Sequence, residues 1–227
     1  MTLRFTTLAL CCTAALAACS PQPAASDNHA ASAVAAAASE AGSVTIDTAR
    51  GEATVPANPE RIAVYDWGML DTLGKLGVDV GATTTNIRLG YLQDAARNMQ
   101  PVGTLFEPDY EALHAFAPQL IITGSRTAPA FEQLSKLAPT IEMTADTTKM
   151  RESTEARIDA FAKIFHKEAE AQALKKEIDE SFAAAKAAAQ GKGSGLVILV
   201  NGGKMSAFGP DSRFGWIHRD VGVPTVD

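Results

Sequence analysis

The feature that most constrains the fold is a repeated alternation of short apolar runs and amphipathic runs between residues 61 and 143. The apolar runs are too short for helices and rich in branched side chains, as expected of strands buried on both faces. They predict strands at 61–65, 78–83, 100–103, 120–123 and 140–143, with helices at 67–76, 109–117 and 128–137. This order predicts an α/β fold, a parallel sheet with helices on both faces, preceded by a short hairpin of residues 44–46 and 53–55.

The segment 147–190 contains neither glycine nor proline and is rich in Ala, Glu and Lys. Its apolar residues recur at helical spacing. Two interpretations are open: two helices with a break near Phe165, His166 and Lys167, or one long, kinked helix. A single helix would span roughly 60 Å. We adopt the second interpretation as our prediction, because a helix of that length can join two lobes as a spine.

The residues after the predicted spine form a smaller unit. A glycine-rich turn at 191–195 is followed by predicted strands at 196–200 and 204–208 and a short helix within 214–221. Two strands and one helix are too few to cover both faces of a sheet or to protect its edges. We therefore expect an incomplete second lobe over 191–227, and impaired ligand binding in a chain that ends there.

The N-terminus is predicted to direct the chain to the cell envelope. Arg4 and the apolar run that follows it are typical of a signal peptide at 1–18. The sequence Leu-Ala-Ala before Cys19 matches the bacterial lipobox, in which the cysteine sulfur carries a diacylglycerol. An ordinary signal peptide, with Cys19 incidental, is the alternative. Residues 19–42 are rich in Ala and Ser and are predicted to be a flexible tether.

Composition and motifs exclude several classes of function. All three cysteines lie at or before Cys19, which excludes a disulfide framework or a thiol nucleophile in the folded part. The net charge of −6 argues against nonspecific nucleic-acid binding. No phosphate-binding GxxxxGK[ST] or nucleophile-elbow GxSxG motif occurs. The histidines after residue 29 are scattered, which weakens a zinc or manganese site and disfavours an envelope enzyme.

Candidate binding residues follow the predicted strands, because ligands of open α/β sheets bind at the carboxyl ends of the strands. Trp67 follows the first strand, Phe106 follows the third and Arg126 follows the fourth. Arg213 lies in the loop after the second strand of the smaller unit. The strand ends thus carry arginines and aromatic side chains, but no catalytic constellation.

Four segments carry a family resemblance: residues 65–73, 102–109, 120–126 and 204–215. They resemble the bacterial ferric-siderophore-binding lipoproteins of iron ABC importers, in particular the catecholate branch that takes enterobactin or petrobactin. The resemblance runs from about residue 43 to 227. It implies a helical-backbone (type III) periplasmic binding protein fold, with a Rossmann-like first lobe, a long spine helix and the ligand in the cleft between two lobes.

The resemblance also implies roles for individual residues. Arg126 and Arg213 match cleft arginines that hold the anionic oxygens of the siderophore, and a guanidinium offers forked, permanently charged donors for them. A surface or interlobe salt bridge is the alternative for each arginine. Trp67 and Phe106 either contact ligand rings or, for Trp67, belong to the core. A third arginine, and in one branch a histidine and a tyrosine, follow later in relatives, so we assign no metal ligand here.

The resulting expectation is a monomeric, lipid-anchored receptor in the periplasm. It would capture an iron–siderophore complex and deliver it to an inner-membrane ABC permease, with no intrinsic cofactor and with iron only as part of the ligand. Haem, cobalamin or a hydroxamate siderophore are alternative ligands. The expected organisation is a signal peptide, a tether, an α/β lobe, a spine and a partial lobe, at 1–18, 19–42, 43–146, 147–190 and 191–227.

Overall fold

The structure begins with an antiparallel hairpin. It is a computed structural model that describes residues 42–226, so the predicted signal peptide, Cys19 and nearly all of the predicted tether lie outside the described residues. Strands β1 (Ser43–Thr48) and β2 (Gly51–Pro56) pair in register, with Val44 opposite Val55. One face of this hairpin is buried through Ile46 and Val55, which confirms the predicted hairpin.

The centre of the molecule is a sheet of five parallel strands, as predicted. The spatial order is β5-β4-β3-β6-β7, with β3 in the middle. The strands are β3 (Ile62–Val64), β4 (Ala82–Thr83), β5 (Gln100–Pro101), β6 (Leu120–Thr123) and β7 (Thr140–Glu142). Most are shorter than predicted, because each pair of neighbouring strands is hydrogen-bonded over only two or three residues.

Four helices connect these strands: α1 (Trp67–Lys75), α2 (Gly90–Ala96), α3 (Tyr110–Phe116) and α4 (Phe131–Leu134). Aspartate side chains begin two of them, since Asp66 accepts from Met69 N at 3.1 Å and Asp109 accepts from Ala112 N at 2.9 Å. The sequence did not predict α2, which has no side-chain cap and buries only Leu92. Helix α4 is shorter than predicted and follows a 3₁₀ turn at Ala128–Ala130.

Alternate residues of the central strands face opposite sides of the sheet. Ile62 and Val64 join the core that contains α1, whereas Ala63 and Tyr65 face the core that contains Leu113 of α3. All four strand residues are fully buried. The two cores confirm the prediction of helices on both faces, because a strand buried on both sides has no polar face.

The predicted single spine helix over 147–190 is wrong. A 3₁₀ turn at Thr147–Lys149 precedes two helices, α5 (Met150–Phe165) and α6 (Glu168–Ala189), which are separated at His166. His166 adopts a left-handed conformation with φ 55° and ends α5. This is the break that the alternative interpretation of the sequence places near Phe165.

Helices α5 and α6 run antiparallel and pack against each other. Lys175 of α6 lies 2.5 Å from Asp159 of α5, and Arg151 near the start of α5 pairs with Asp179 further along α6. Phe161 of α5 and Ala171 of α6 belong to the same buried core. Folding back buries the apolar stripe of α5 and Ala171 of α6, and it partly buries Leu174 and Ile178 of α6 against the same core.

The last elements form a small separate sheet and a short helix. Strands β8 (Val197–Asn201) and β9 (Lys204–Phe208) pair antiparallel, and α7 (Trp216–Arg219) follows. Both strands and the short helix were predicted. The ring of Trp216 meets Phe182 of α6 edge to face, with centroids 5.9 Å apart. Within the described range, no helix combines the length and the apolar character needed to cross a bilayer.

Candidate functional site

The strand order creates a crevice between β3 and β6. The chain leaves β3 towards β4 on one side and later returns to place β6 on the other side, so the connections diverge at the carboxyl ends of these two strands. Such a topological switch point is where open α/β sheets bind ligands. We call this the switch-point crevice and define it by Asp66 and Trp67 after β3 and by residues 124–127 after β6.

The two sides of the crevice touch at its base. A Cβ atom added to Gly124 would lie 2.8 Å from Oδ2 of Asp66, so only a glycine fits there without movement. The other carboxylate oxygen of Asp66 accepts the hydrogen bond that begins α1. The position of the segment after β6 is therefore coupled to the first turn of α1.

Trp67 lies at the crevice with its indole fixed in orientation. The Nε1–H group donates to Oγ1 of Thr84, which follows β4, at 2.9 Å. The ring is only partly exposed and packs against the core on the α1 side of the sheet. Trp67 thus belongs in part to the core, and a role in ligand contact stays a prediction.

Phe106 is held out towards solvent in the loop after β5. Its side chain is 69% exposed, so it does not contribute to the core. The hydroxyl of Thr104 accepts from the backbone N–H groups of Phe106 at 3.2 Å and Glu107 at 3.0 Å, which makes a compact turn. The predicted contact between Phe106 and ligand rings remains a prediction.

Arg126 is exposed at the turn after β6. Among residues 42–226, no carboxylate oxygen lies within 4 Å of its guanidinium, so the alternative of a surface salt bridge finds no partner there. An exposed guanidinium at the carboxyl edge of a parallel sheet, with N–H groups that have no carboxylate partner, can donate hydrogen bonds to an anionic group. The arrangement is compatible with the predicted binding role of Arg126.

Thr127 organises this edge, although no sequence pattern points to it. Its side chain is buried, and its hydroxyl donates to the carbonyl of Leu105 at 2.6 Å and lies 3.3 Å from the carbonyl of Tyr65. One hydroxyl thereby joins the segments that follow β3, β5 and β6. From sequence alone, a threonine that bridges segments in this way cannot be distinguished from a threonine exposed at the end of a strand.

Arg213 lies apart from the other three predicted residues. It is exposed in the loop between β9 and α7, with its guanidinium 5.0 Å from the centroid of the Phe214 ring. Ser212 donates to Gly209 O at 2.6 Å and Arg219 donates to Pro210 O, which holds the loop. Trp67, Phe106 and Arg126 share one sheet edge, whereas no described contact connects Arg213 to them.

A cavity of about 590 Å³ lies beside the sheet, between the N-terminal hairpin, the segment after β7 and helix α5. Its walls include Thr144, Ser153, Lys163 and the partly buried Arg157. Arg157 donates to Thr154 Oγ1 at 3.3 Å. Burial lowers the pKa of Arg157, and the nearby charge of Asp66 opposes that shift. Sequence reasoning missed Arg157 because it lies inside a helix with no motif around it.

The other chemistry near the sheet is limited. Burial raises the pKa of the Tyr65 phenol well above its usual range, and its hydroxyl donates to Val102 O at 2.8 Å. Within residues 42–226, no group of three or more His, Cys, Asp or Glu side chains converges as a metal site would require. In the same range, no serine or threonine hydroxyl hydrogen-bonds a histidine ring. The described groups can hold an anion but offer no assembled nucleophile and base.

Comparison with known proteins identifies relatives of this chain. The sequence profile of a family described as periplasmic binding protein matches residues 62–227. Petrobactin-binding protein YclQ of Bacillus subtilis is 40% identical over 177 residues, which cover 76% of this chain and 56% of YclQ. Ferric-anguibactin-binding protein FatB of Vibrio anguillarum is 27% identical over 190 residues, covering 79% of this chain and 58% of FatB. The chain thus spans little more than half the length of these relatives.

Solved structures agree with the sequence comparison. The crystal structure of YclQ superposes with a TM-score of 0.77 at 38% identity, covering 82% of this chain and 67% of YclQ. The catecholate-siderophore binding protein VctP of Vibrio cholerae superposes with a TM-score of 0.72 at 29% identity, covering 81% of this chain and 67% of VctP. The fold described here is therefore shared along most of the chain.

Proposed function

Because the chain belongs to the periplasmic binding protein family, we propose that it is a receptor that captures a ferric siderophore, with a ferric catecholate as the preferred ligand. The proposal extends to delivery of the complex to an ABC permease. Two relatives point to this ligand class: YclQ is named for petrobactin and VctP for catecholate siderophores. Iron is the cargo here and enters only as part of the siderophore complex.

The observation that carries the proposal is Arg126 at the switch-point crevice. Its guanidinium is exposed and has no carboxylate within 4 Å among residues 42–226, which leaves its donors open to a ligand. A ferric tris-catecholate spreads roughly three negative charges over oxygens that are attached to aromatic rings. A guanidinium can hydrogen-bond those oxygens and stack on those rings, and the exposed Phe106 offers a further aromatic contact.

Arg213 is proposed as a second anion-binding residue. It is exposed, and its guanidinium lies over the Phe214 ring, which orients it without neutralising its charge. The loop that bears it is braced by the hydrogen bond from Ser212 to Gly209. In the proposed complex, Arg126 and Arg213 approach the ligand from different sheets.

The location is part of the same proposal. The lipobox at Cys19 supports a diacylglycerol anchor in the cell envelope, and the tether at 19–42 would give the receptor reach to a permease. We propose a monomer without an intrinsic cofactor and without enzymatic activity. The domain organisation proposed is the predicted one, except that the segment 147–190 forms two helices.

The experiment is a fluorescence titration with a ferric tris-catecholate complex. The chain has two tryptophans, Trp67 at the crevice and Trp216 packed on Phe182, so a Trp216→Phe background leaves Trp67 as the reporter. We expect quenching on binding, and Arg126→Ala and Arg213→Ala each to weaken binding by about 1–3 kcal/mol. Arg97→Ala is the matched control, because Arg97 is exposed on another surface and paired with Asp94.

Two results decide against the proposal. If haem, cobalamin or a ferric hydroxamate bound more tightly than the catecholate complex, a ferric catecholate would not be the preferred ligand. Unchanged affinity in both arginine variants would remove the roles of Arg126 and Arg213, even where the wild-type protein binds.

A further inference from the structure

The tight turn between strands β8 and β9 carries an asparagine followed by a glycine. Asn201 is the last residue of β8 and pairs with Lys204, the first residue of β9. The turn consists of Gly202 and Gly203, whose φ angles of 57° and 75° are those a two-residue hairpin loop requires. All four residues are exposed. The side-chain amide of Asn201 therefore meets solvent beside the peptide N–H of a residue that has no side chain.

Neither group of this pair is held in place by a hydrogen bond. Among residues 42–226, the side chain of Asn201 has no hydrogen-bond partner and the N–H of Gly202 has no acceptor. Asparagine side chains in turns often bind a nearby backbone group, which would fix the amide, and that contact is missing at this turn. A Cβ atom added to Gly202 would meet nothing within 4 Å, so open space surrounds this peptide group. The two groups are free to approach each other.

The strands on either side of the turn resist opening only weakly. In the described part of the chain, β8 and β9 pair with each other and with no third strand. Their large apolar side chains are mostly exposed, since Ile198 is 53% and Val200 64% accessible on one face and Leu199 42% on the other. A two-stranded sheet of this kind is marginally stable and opens often. Opening lets the Asn201 backbone leave the extended conformation and bring Cγ to the nitrogen of Gly202.

We propose that Asn201 is a site of spontaneous deamidation, in which the main-chain nitrogen of Gly202 attacks Cγ of Asn201. The bond from this nitrogen to Cγ forms, and the bond from Cγ to Nδ2 breaks. The proton of the attacking N–H passes through water to Nδ2, which leaves as ammonia. The resulting succinimide ring then adds one water molecule, at Cγ to give aspartate or at the main-chain carbonyl carbon to give isoaspartate. No electrons are transferred, and water is the only co-reactant.

The two products affect the hairpin in opposite directions. An aspartate at position 201 lies opposite Lys204, and such a cross-strand pair of opposite charges stabilises an antiparallel sheet. An isoaspartate adds one methylene group to the main chain, so the pairing of residue 201 with Lys204 loses its register. Isoaspartate would thereby loosen the sheet that precedes Arg213, a proposed ligand contact. The modification itself does not rest on the proposed function.

The first test follows the full chain during incubation at neutral pH and physiological temperature. Peptide mass spectrometry locates each exchange of NH₂ for OH, and a protein isoaspartate methyltransferase with a labelled methyl donor measures isoaspartate. A synthetic peptide of residues 197–207 gives the rate without the fold. We expect Asn201 in the folded chain to react within about tenfold of the peptide rate, because the hairpin opens readily. Asn58 is the internal control, since it precedes a proline and has no following N–H to attack. A slower reaction at Asn201, or none, while the peptide is converted overturns the proposal.

Two glycine variants separate the attack by Gly202 from the flexibility of the turn. Gly202→Ala places a methyl group beside the attacking nitrogen, whereas Gly203→Ala leaves the reacting pair intact. The variants are matched, because both positions have positive φ and an added Cβ meets nothing within 4 Å at either. We expect Gly202→Ala to slow the reaction at least about tenfold and Gly203→Ala to keep or exceed the wild-type rate. Equal rates in the two variants would show that the Gly202 nitrogen does not control the reaction and would overturn the proposal.

Discussion

At the scale of single residues, the crevice depends on groups that support the candidate ligand contacts. Gly124 allows the Asp66 carboxylate to lie against the backbone after β6, and Thr127 links that backbone to the segments after β3 and β5. These residues fix where the Arg126 turn lies. Arg126 was predicted from its place after a strand, whereas Gly124 and Thr127 matter only through contacts with segments distant in sequence.

Replacement of Gly124 by alanine tests this coupling. The new methyl group would meet three atoms of the Asp66 side chain at 2.8–3.2 Å, so either the N-cap of α1 or the turn after β6 must shift. We expect a loss of about 1–3 kcal/mol in the free energy of unfolding, measured by urea denaturation.

Gly74→Ala is the matched control, because the same change at Gly74 in α1 meets nothing within 4 Å. Alanine favours a helix over glycine, so this variant should gain about 0.5–1 kcal/mol. Equal stability changes in the two variants would show that contact with Asp66 does not limit position 124.

At the scale of elements, the helical hairpin of α5 and α6 is the main departure from the predicted structure. Helical periodicity continues through 147–190, but His166 takes a left-handed conformation that a helix cannot include. The break is favoured by contacts formed only after the chain reverses, which include the Lys175–Asp159 pair and the shared core around Phe161 and Ala171. Local sequence marks where the break can occur, and packing makes it occur.

His166→Gly tests the cost of that conformation. Glycine adopts positive φ without steric penalty, so the variant relieves the backbone strain at this position. Glycine also gives the unfolded chain more freedom, which offsets part of that benefit. We therefore expect a net gain of about 0.5–1 kcal/mol in the free energy of unfolding. Ala115→Gly, within α3, should instead lose about 1 kcal/mol. A loss of stability in His166→Gly of the same size would mean that the His166 side chain contributes more than its backbone costs.

At the scale of the whole molecule, stability is unevenly distributed. The five-stranded sheet is buried between two cores, while the β8–β9 sheet has only two strands and leaves Leu199, Val200 and Met205 exposed. A two-stranded sheet without a buried face is only marginally stable. The binding surface proposed here thus combines a rigid edge, which carries Arg126, with a less stable sheet, which precedes Arg213.

Hydrogen exchange measures this difference. We expect backbone amides of β3 and β6 to exchange at least about a hundredfold more slowly than those of β8 and β9. The β1–β2 hairpin is the internal control: it also has two strands but buries Ile46 and Val55, so its protection should be intermediate. Equal protection of β8–β9 and β3 would contradict the proposed difference in stability.

The sequence by itself determined the parallel α/β architecture, the N-terminal hairpin and the strand ends that carry Trp67, Phe106 and Arg126. Those features follow from local periodicity and from the rule that ligands meet the carboxyl ends of parallel strands. Only the tertiary structure decided the reversal at His166, the contact of Asp66 with Gly124 and the place of Arg157 at the cavity beside α5. Each of these features depends on contacts between residues far apart in the chain. Such contacts contribute to the free energy of folding but produce no local sequence pattern.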